Sequence, residues 1–274
     1  MKKTVCFIFC VLVCLVLTAC GKAPAETSPS EAEQLPENEA PSTQESEQPQ
    51  MSARSEENAP ARTAYAAALK TLLDTNILPD GTGDADGYMG STAEREAMAE
   101  NKFSVYDVDG DGREELVLLY TTAIVAGQTG FVYDWDEATG KLREQFAGFP
   151  NFTFYKSGAL KVGWSHNQGK GGNFWPYDLY TYDAGADGYQ LAGSVDAWDK
   201  NLGLEDYPSE VDVSKKGFVY YINRDLVSEW DKIAPVDDAE YRAWLAPYQG
   251  EGGELSIPYD ALTAENIQGL LAAG

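Results

Sequence analysis

The spacing of apolar residues changes once along this chain and then changes back, and no other feature restricts the fold as much. Between Thr63 and Thr75, Tyr65, Leu69, Leu72 and Leu73 recur at i, i+4, i+7 and i+8, the period of a helix with one buried face. From Phe103 the period becomes two. Runs rich in Val, Tyr, Phe and Leu, bounded by Gly, Asp and Asn, predict strands at 103–106, 115–124, 130–135, 141–146, 152–155, 160–164, 177–182, 189–195 and 218–222. The helical period returns from Asp237 to Leu245, with Tyr241 and Trp244. It recurs from Ala264 to Leu271, where Thr263 is the expected N-cap. Ser91-Thr92-Ala93-Glu94 is a capping box for a short helix ending near Glu100. Strands grouped between helices predict an α+β domain over 63–274: an antiparallel β meander with N- and C-terminal helices.

Nothing covalent braces that domain. Cys6, Cys10, Cys14 and Cys20 all lie in the first 20 residues, so 63–274 has neither a disulfide framework nor a thiolate metal site. It must be held by its core, or by a metal with oxygen ligands.

Two hairpins read alike. Val132-Tyr-Asp-Trp-Asp136 leads through a Gly turn to Leu142, and Leu179-Tyr-Thr-Tyr-Asp183 leads through a Gly turn to Leu191. Two copies are too few for a closed propeller, so they are expected to be parts of a meander.

The N-terminus carries the localisation. Lys2 and Lys3 precede an apolar run from Val5 to Leu17, too short to span a bilayer but suited to the core of a signal peptide. It ends in Leu17-Thr18-Ala19-Cys20, which resembles the lipobox of bacterial lipoproteins. The resemblance implies a signal peptide at 1–19, cleavage before Cys20 and a fatty-acyl anchor (a diacylglyceryl group) on the Cys20 sulfur. The expected location is the extracytoplasmic face of the cell membrane. Residues 20–62 read as an acidic, disordered tether rich in Pro, Glu, Ser and Gln. In the polyproline limit, at roughly 3.1 Å per residue, it would reach about 100 Å or more.

The formal charge of −24 repels polyanions, so nucleic acid is not an expected partner.

One motif is sharp. Asp107-Val-Asp109-Gly-Asp111-Gly-Arg113-Glu-Glu115 places carboxylates at positions 1, 3, 5 and 9, with Gly112 at position 6. Carboxylates this dense repel one another unless a cation joins them, and calcium accepts six to eight oxygens. The segment resembles the calcium loops of FG-GAP, VCBS and dockerin-type modules. That resemblance implies calcium held by Asp107, Asp109, Asp111, Glu115 and the carbonyl of Arg113. A standard EF-hand is excluded, because Leu118 stands where a bidentate Glu is needed and the flanks read as strands. The chain is also similar to surface lipoproteins of gut Firmicutes that carry a DVDGDG-x-x-EL loop, which implies location and calcium but no activity. Asp80, Asp84 and Asp86 form a second acidic loop whose spacing fits no metal loop well, and it is expected to be solvated.

The stretch from Trp164 to Trp175 combines amides, glycines, two indoles and the only histidine. Trp164, His166, Asn167 and Trp175 are the candidate ligand-binding residues, through stacking on sugar rings and amide hydrogen bonds. Aromatics serving only the core are the competing expectation.

Catalytic motifs are sparse. One His rules out HExxH, and neither GxSxG nor a phosphate loop occurs. Ser165 and His166 are adjacent and on a strand would face apart. The expected function is therefore a cell-surface lipoprotein whose domain uses calcium structurally and binds an extracellular glycan or protein. The alternative is an extracytoplasmic hydrolase acting on carbohydrate or envelope polymer.

Overall fold

In the computed structural model, which describes residues 47–81, 97–123, 125–167 and 169–272, the helix expected at Thr63 is the second half of a longer one. α1 runs Glu47–Thr75. The described residues belong to one unit, Gln44–Gly274. The signal peptide, Cys20, the tether up to residue 46, the Ser91 capping box, and Asp84 and Asp86 lie outside the described residues.

The span 47–62 is therefore helical, where the sequence led us to expect tether. Composition there is polar and includes Pro60, which removes one backbone donor. The helix gains from contacts that composition does not reveal. Ala61 is buried in the core, Asn58 is buried, and Arg62 forms an ion pair with Glu114. Farther along, Tyr65, Leu69 and Leu72 are fully buried, each contributing roughly 1.5–3 kcal/mol.

Among the described residues, eleven strands form two antiparallel sheets. In chain order they are β1 Lys102–Tyr106, β2 Glu115–Tyr120, β3 Thr129–Asp136, β4 Lys141–Gly148, β5 Phe152–Phe154, β6 Leu160–Gly163, β7 Tyr177–Asp183, β8 Gly188–Asp199, β9 Phe218–Asn223, β10 Pro235–Val236 and β11 Asp260–Ala261. The first sheet has the order β11-β1-β2-β3-β4 and the second β10-β9-β8-β7-β6-β5. α2 spans Asp238–Gln249 and α3 Ala264–Ala272, the latter capped as expected by Thr263 Oγ1, which accepts from Asn266 N–H at 3.3 Å. The α+β expectation holds, with the meander divided between two sheets.

β2 stops at Tyr120 and does not continue to residue 124. The buried Asn101 side chain accepts the N–H groups of Thr121 (2.7 Å) and Thr122 (3.1 Å), which takes them out of the ladder. No apolar pattern encodes that competition.

Strand alternation sorts the core into layers. Leu116, Leu118, Tyr120, Phe131 and Tyr133 face Tyr65, Leu69 and Leu72 of α1 and Ile267 of α3. Their neighbours Val117, Val132 and Phe146 pack against Phe154, Leu160 and Val162 of the second sheet. The opposite face of that sheet, through Leu179, Val195, Ala197 and Ile222, packs on Leu245 of α2. The order is helix, sheet, sheet, helix.

The two similar hairpins are β3–β4 and β7–β8, one in each sheet. Each is bulged at the matching place, between Val132 and Tyr133 and between Leu179 and Tyr180. Each closes on an aspartate whose Oδ1 accepts two turn N–H groups. Asp136 accepts from Ala138 and Thr139, and Asp183 from Gly185 and Ala186.

Candidate metal centre and an aromatic face

β1 and β2 pair as far as Tyr106 opposite Glu115, so residues 107–114 form a closed loop at the end of a hairpin. Val108 anchors it, buried in the cluster between the sheets. Gly110 and Gly112 take φ of 85° and 96°, which side chains with a Cβ rarely adopt, and this lets the chain curl. Asp107 accepts the N–H groups of Gly110 (2.8 Å) and Gly112 (3.1 Å) on its two oxygens. Asp109 Oδ1 accepts from Asp111 N–H at 3.0 Å, and Glu115 Oε2 from Val108 N–H at 2.8 Å.

This brings together three of the five residues that the sequence nominated. Asp107, Asp109 and Glu115 each offer a carboxylate oxygen, all within 4.8 Å of one another. Asp111 is exposed and outside that group, with its Oδ1 accepting from Arg113 N–H at 2.7 Å. The Arg113 guanidinium turns to Asp134, at 3.2 Å, and to the Trp135 carbonyl.

The group is strained electrostatically. Glu115 is 1% exposed. Burial, and then the charge of Asp109, push its carboxyl up to about 10. Asp109 is pushed up to about 6, chiefly by burial, against the pull of the Asp111 N–H. Asp109 Oδ2 is buried without a hydrogen-bond partner. A buried orphan acceptor costs about 1–3 kcal/mol, so this atom is poised for a positive ligand.

The second sheet supplies residues that sequence reasoning missed. Tyr182 gives its one hydroxyl proton to Asp187 at 2.8 Å, and the hydroxyl borders Asp109. The Tyr189 hydroxyl has no hydrogen-bond partner; burial, and then Asp109 and Glu115, raise its pKa well above the usual value. The repeated hairpin was visible in the sequence, but not that its tyrosines border the loop. Gly158 packs against the loop as well: a Cβ there would lie 2.6 Å from the Asp109 carbonyl oxygen.

The 164–175 stretch links β6 to β7. Trp164 is half-buried, and its indole N–H donates to Asp178 at 3.0 Å. Its ring meets Trp230 edge to face, with centroids 5.4 Å apart. Trp175 is 45% exposed and donates its indole N–H to the Trp164 carbonyl at 2.6 Å. Asn167 Oδ1 accepts from Gly169 N–H, a local turn bond. His166 is exposed, with Nδ1 3.1 Å from Ser165 Oγ. That contact corrects the expectation that the two side chains face apart: they sit on a bend, not a strand, so alternation does not apply. A groove of about 840 Å³ between α1 and α3, lined by Ala66, Leu73, Ile267 and Leu271 among others, contains none of the nominated residues.

Among the described residues, no helix is long and apolar enough to cross a membrane. Comparison of the chain with known protein families, with curated proteins and with solved structures finds no match.

Proposed function

We propose that this chain is a lipid-anchored protein of the extracytoplasmic membrane face, attached through Cys20, whose domain is braced by one calcium ion. The carrying observation is the grouping of Asp107, Asp109 and Glu115 oxygens within 4.8 Å, with Asp109 Oδ2 left unpaired. Two ligands on a calcium ion at about 2.3–2.6 Å can be no more than about 5 Å apart, so all three fit around one ion. The donors are all hard oxygens, which suit calcium and do not select zinc or copper. The ion is structural. It offsets repulsion inside the loop and fixes the β1–β2 turn against α1 and the second sheet.

The exposed indole of Trp175 and its neighbours form the ligand-binding face, for an extracellular glycan or protein. The role is binding, because the Ser165–His166 contact is local and exposed.

A thermal melt of the full-length chain, in detergent, tests the metal reading in calcium, in magnesium and in chelator. Extracellular loops of this kind bind calcium at about 0.1–1 mM. At ten times the dissociation constant, linkage adds about 1.4 kcal/mol, which raises the melting temperature by roughly 3–6 °C in a domain of this size. Magnesium, which demands a smaller octahedral cage, gives a lesser shift. Three superimposed curves would reduce the loop to an acidic turn.

A further inference from the structure

The second sheet presents one face to the first sheet and to solvent in turn. Val162 and Tyr180 are its last residues in the cluster between the sheets, and beyond them the same face turns polar and aromatic. Val162 pairs with Asp178, Asp178 with Ser194, and the next residue of that face, Asp196, with Tyr221. Asp178 and Asp196 are thus diagonal neighbours on adjacent strands, about 7–8 Å apart. The segment after β9 folds back through Asn223, which donates to the Val227 carbonyl at 2.8 Å and accepts from its N–H at 2.9 Å. That turn returns Trp230 onto Trp164, and Trp164 in turn bonds Asp178. Three tryptophans from two loops thereby gather at the edge of a sheet face that carries two half-buried carboxylates.

Two of the three indole donors are already spent. The indole N–H groups of Trp164 and Trp175 are given to Asp178 and to a backbone carbonyl. What these rings offer a ligand is their π faces, and what Asp178, Asp196 and Tyr221 offer is mainly oxygen acceptors. A partner must therefore bring a flat apolar surface edged with hydroxyl donors, the form of a pyranose ring. The formal charge of −24 disfavours a polyanion. The small exposed apolar area, with Trp175 at 45% and Trp164 and Trp230 half-buried, is little for a protein interface, whose buried anchors cluster in a larger patch.

We propose that this face binds a neutral glycan, with Trp175 and Trp164 stacking on sugar rings and Asp178 and Asp196 accepting their hydroxyls. The proposal rests on the reading above that Trp175 and its neighbours form a ligand face, and it extends that face to Asp178, Asp196, Tyr221 and Trp230.

The test uses the full-length chain in calcium and in a detergent without a sugar head. Its probes are soluble oligosaccharides of β-1,4-linked glucose and of β-1,4-linked N-acetylglucosamine, with polygalacturonate as the anionic arm. Tryptophan fluorescence and calorimetry report binding. The expected result is binding of a neutral probe, weakened about tenfold or more by Trp175→Ala and by Asp178→Asn. Both variants should keep the calcium-dependent melt, which shows that they fold. Wild-type protein that binds neither neutral probe, or binds one equally well after both substitutions, overturns the proposal. Binding of polygalacturonate alone, lost in Trp175→Ala, overturns the neutral-glycan assignment while leaving a ligand face in place.

Discussion

Arg62 on α1 holds Glu114 in a side-on bidentate pair, with Nε and Nη2 each 2.6 Å from a different carboxylate oxygen. Glu114 is the residue just before Glu115, the last carboxylate of the acidic loop. Its backbone is held as well: the N–H donates to Asn58 Oδ1 at 3.1 Å, and the carbonyl accepts from the Tyr65 hydroxyl at 2.7 Å. The helix therefore fixes the exit of the loop through side chain, N–H and carbonyl together.

Breaking that pair should destabilise the domain. The two side chains are 17% and 18% exposed, so solvent screens them little. Loss of a charge-assisted hydrogen-bonded pair costs about 1.5–3 kcal/mol. Arg62→Ala should lower the melting temperature by roughly 5 °C and weaken calcium binding, because the loop loses its anchor. Arg62→Lys, which cannot bond both oxygens in the same plane, should recover only part. A melt of Arg62→Ala that overlays wild type would show the pair to be incidental.

Where the chain is cut should matter. A fragment beginning at residue 62 keeps Arg62 but loses the buried Asn58 and Ala61. A fragment beginning at residue 44 keeps all three and matches the limit of the folded unit. The shorter form should be less stable by about 1–3 kcal/mol, since the Glu114 N–H loses its acceptor. Equal urea midpoints would remove residues 47–61 from the domain's energetics.

The five nominated ligands should not be equal. Asp107 and Glu115 belong to the close group, and Asp111 does not. Asp107→Ala and Glu115→Gln should weaken calcium binding about tenfold or more, and Asp111→Ala by roughly threefold or less. Calorimetric titration of the three variants decides the ranking. If Asp111→Ala proved the most damaging, the loop would have to close further around the ion than the observed geometry.

Stability without calcium should fall as pH rises. Burial and neighbouring charges hold the Asp109 carboxyl at about 6 and Glu115 at about 10, both above the ordinary carboxylate range. The folded chain then binds more protons than the unfolded chain, so each deprotonation above about pH 4 favours unfolding. In chelator the melting temperature should drop from about pH 5 to about pH 8: Glu115 contributes throughout, because the unfolded chain has lost that proton while the folded chain keeps it, and Asp109 adds to the drop up to about pH 6. Calcium replaces those protons, so its stabilising effect should grow over the same interval. Asp109→Asn should flatten the chelator curve below about pH 6, and Glu115→Gln should flatten it over the whole interval. A chelator curve that rises with pH would contradict the strain assigned to this loop.

The apolar periods carried much of the fold. Nine strands, the end of α1 and both C-terminal helices follow from spacing, because alternation and amphipathicity are direct images of two-sided burial. The division into two sheets was not legible, since Val117 and Leu118 look alike in sequence and only packing shows that they face different partners. The first half of α1 was hidden because its described contacts are mostly polar ones made by Asn58 and Arg62 to Glu114, with Ala61 the one small apolar residue buried there, and composition does not reveal such contacts. Within the acidic loop, the grouping of Asp107, Asp109 and Glu115 was legible from spacing. Tyr182 and Tyr189 were not, because they reach it from another sheet. Trp230 was missed for a similar reason: it joins Trp164 only through the turn held by Asn223.

α1 also sets how the domain would take a pull. Among the described side chains of α1, Asn58 and Arg62 tie the helix to Glu114 ahead of the buried face that begins at Tyr65. Tension arriving through Asn58 and Arg62 is therefore delivered to the end of the acidic loop. If the proposed calcium occupies that loop, it would act as a mechanical clasp, and the force needed to pull the helix free would depend on the free calcium concentration.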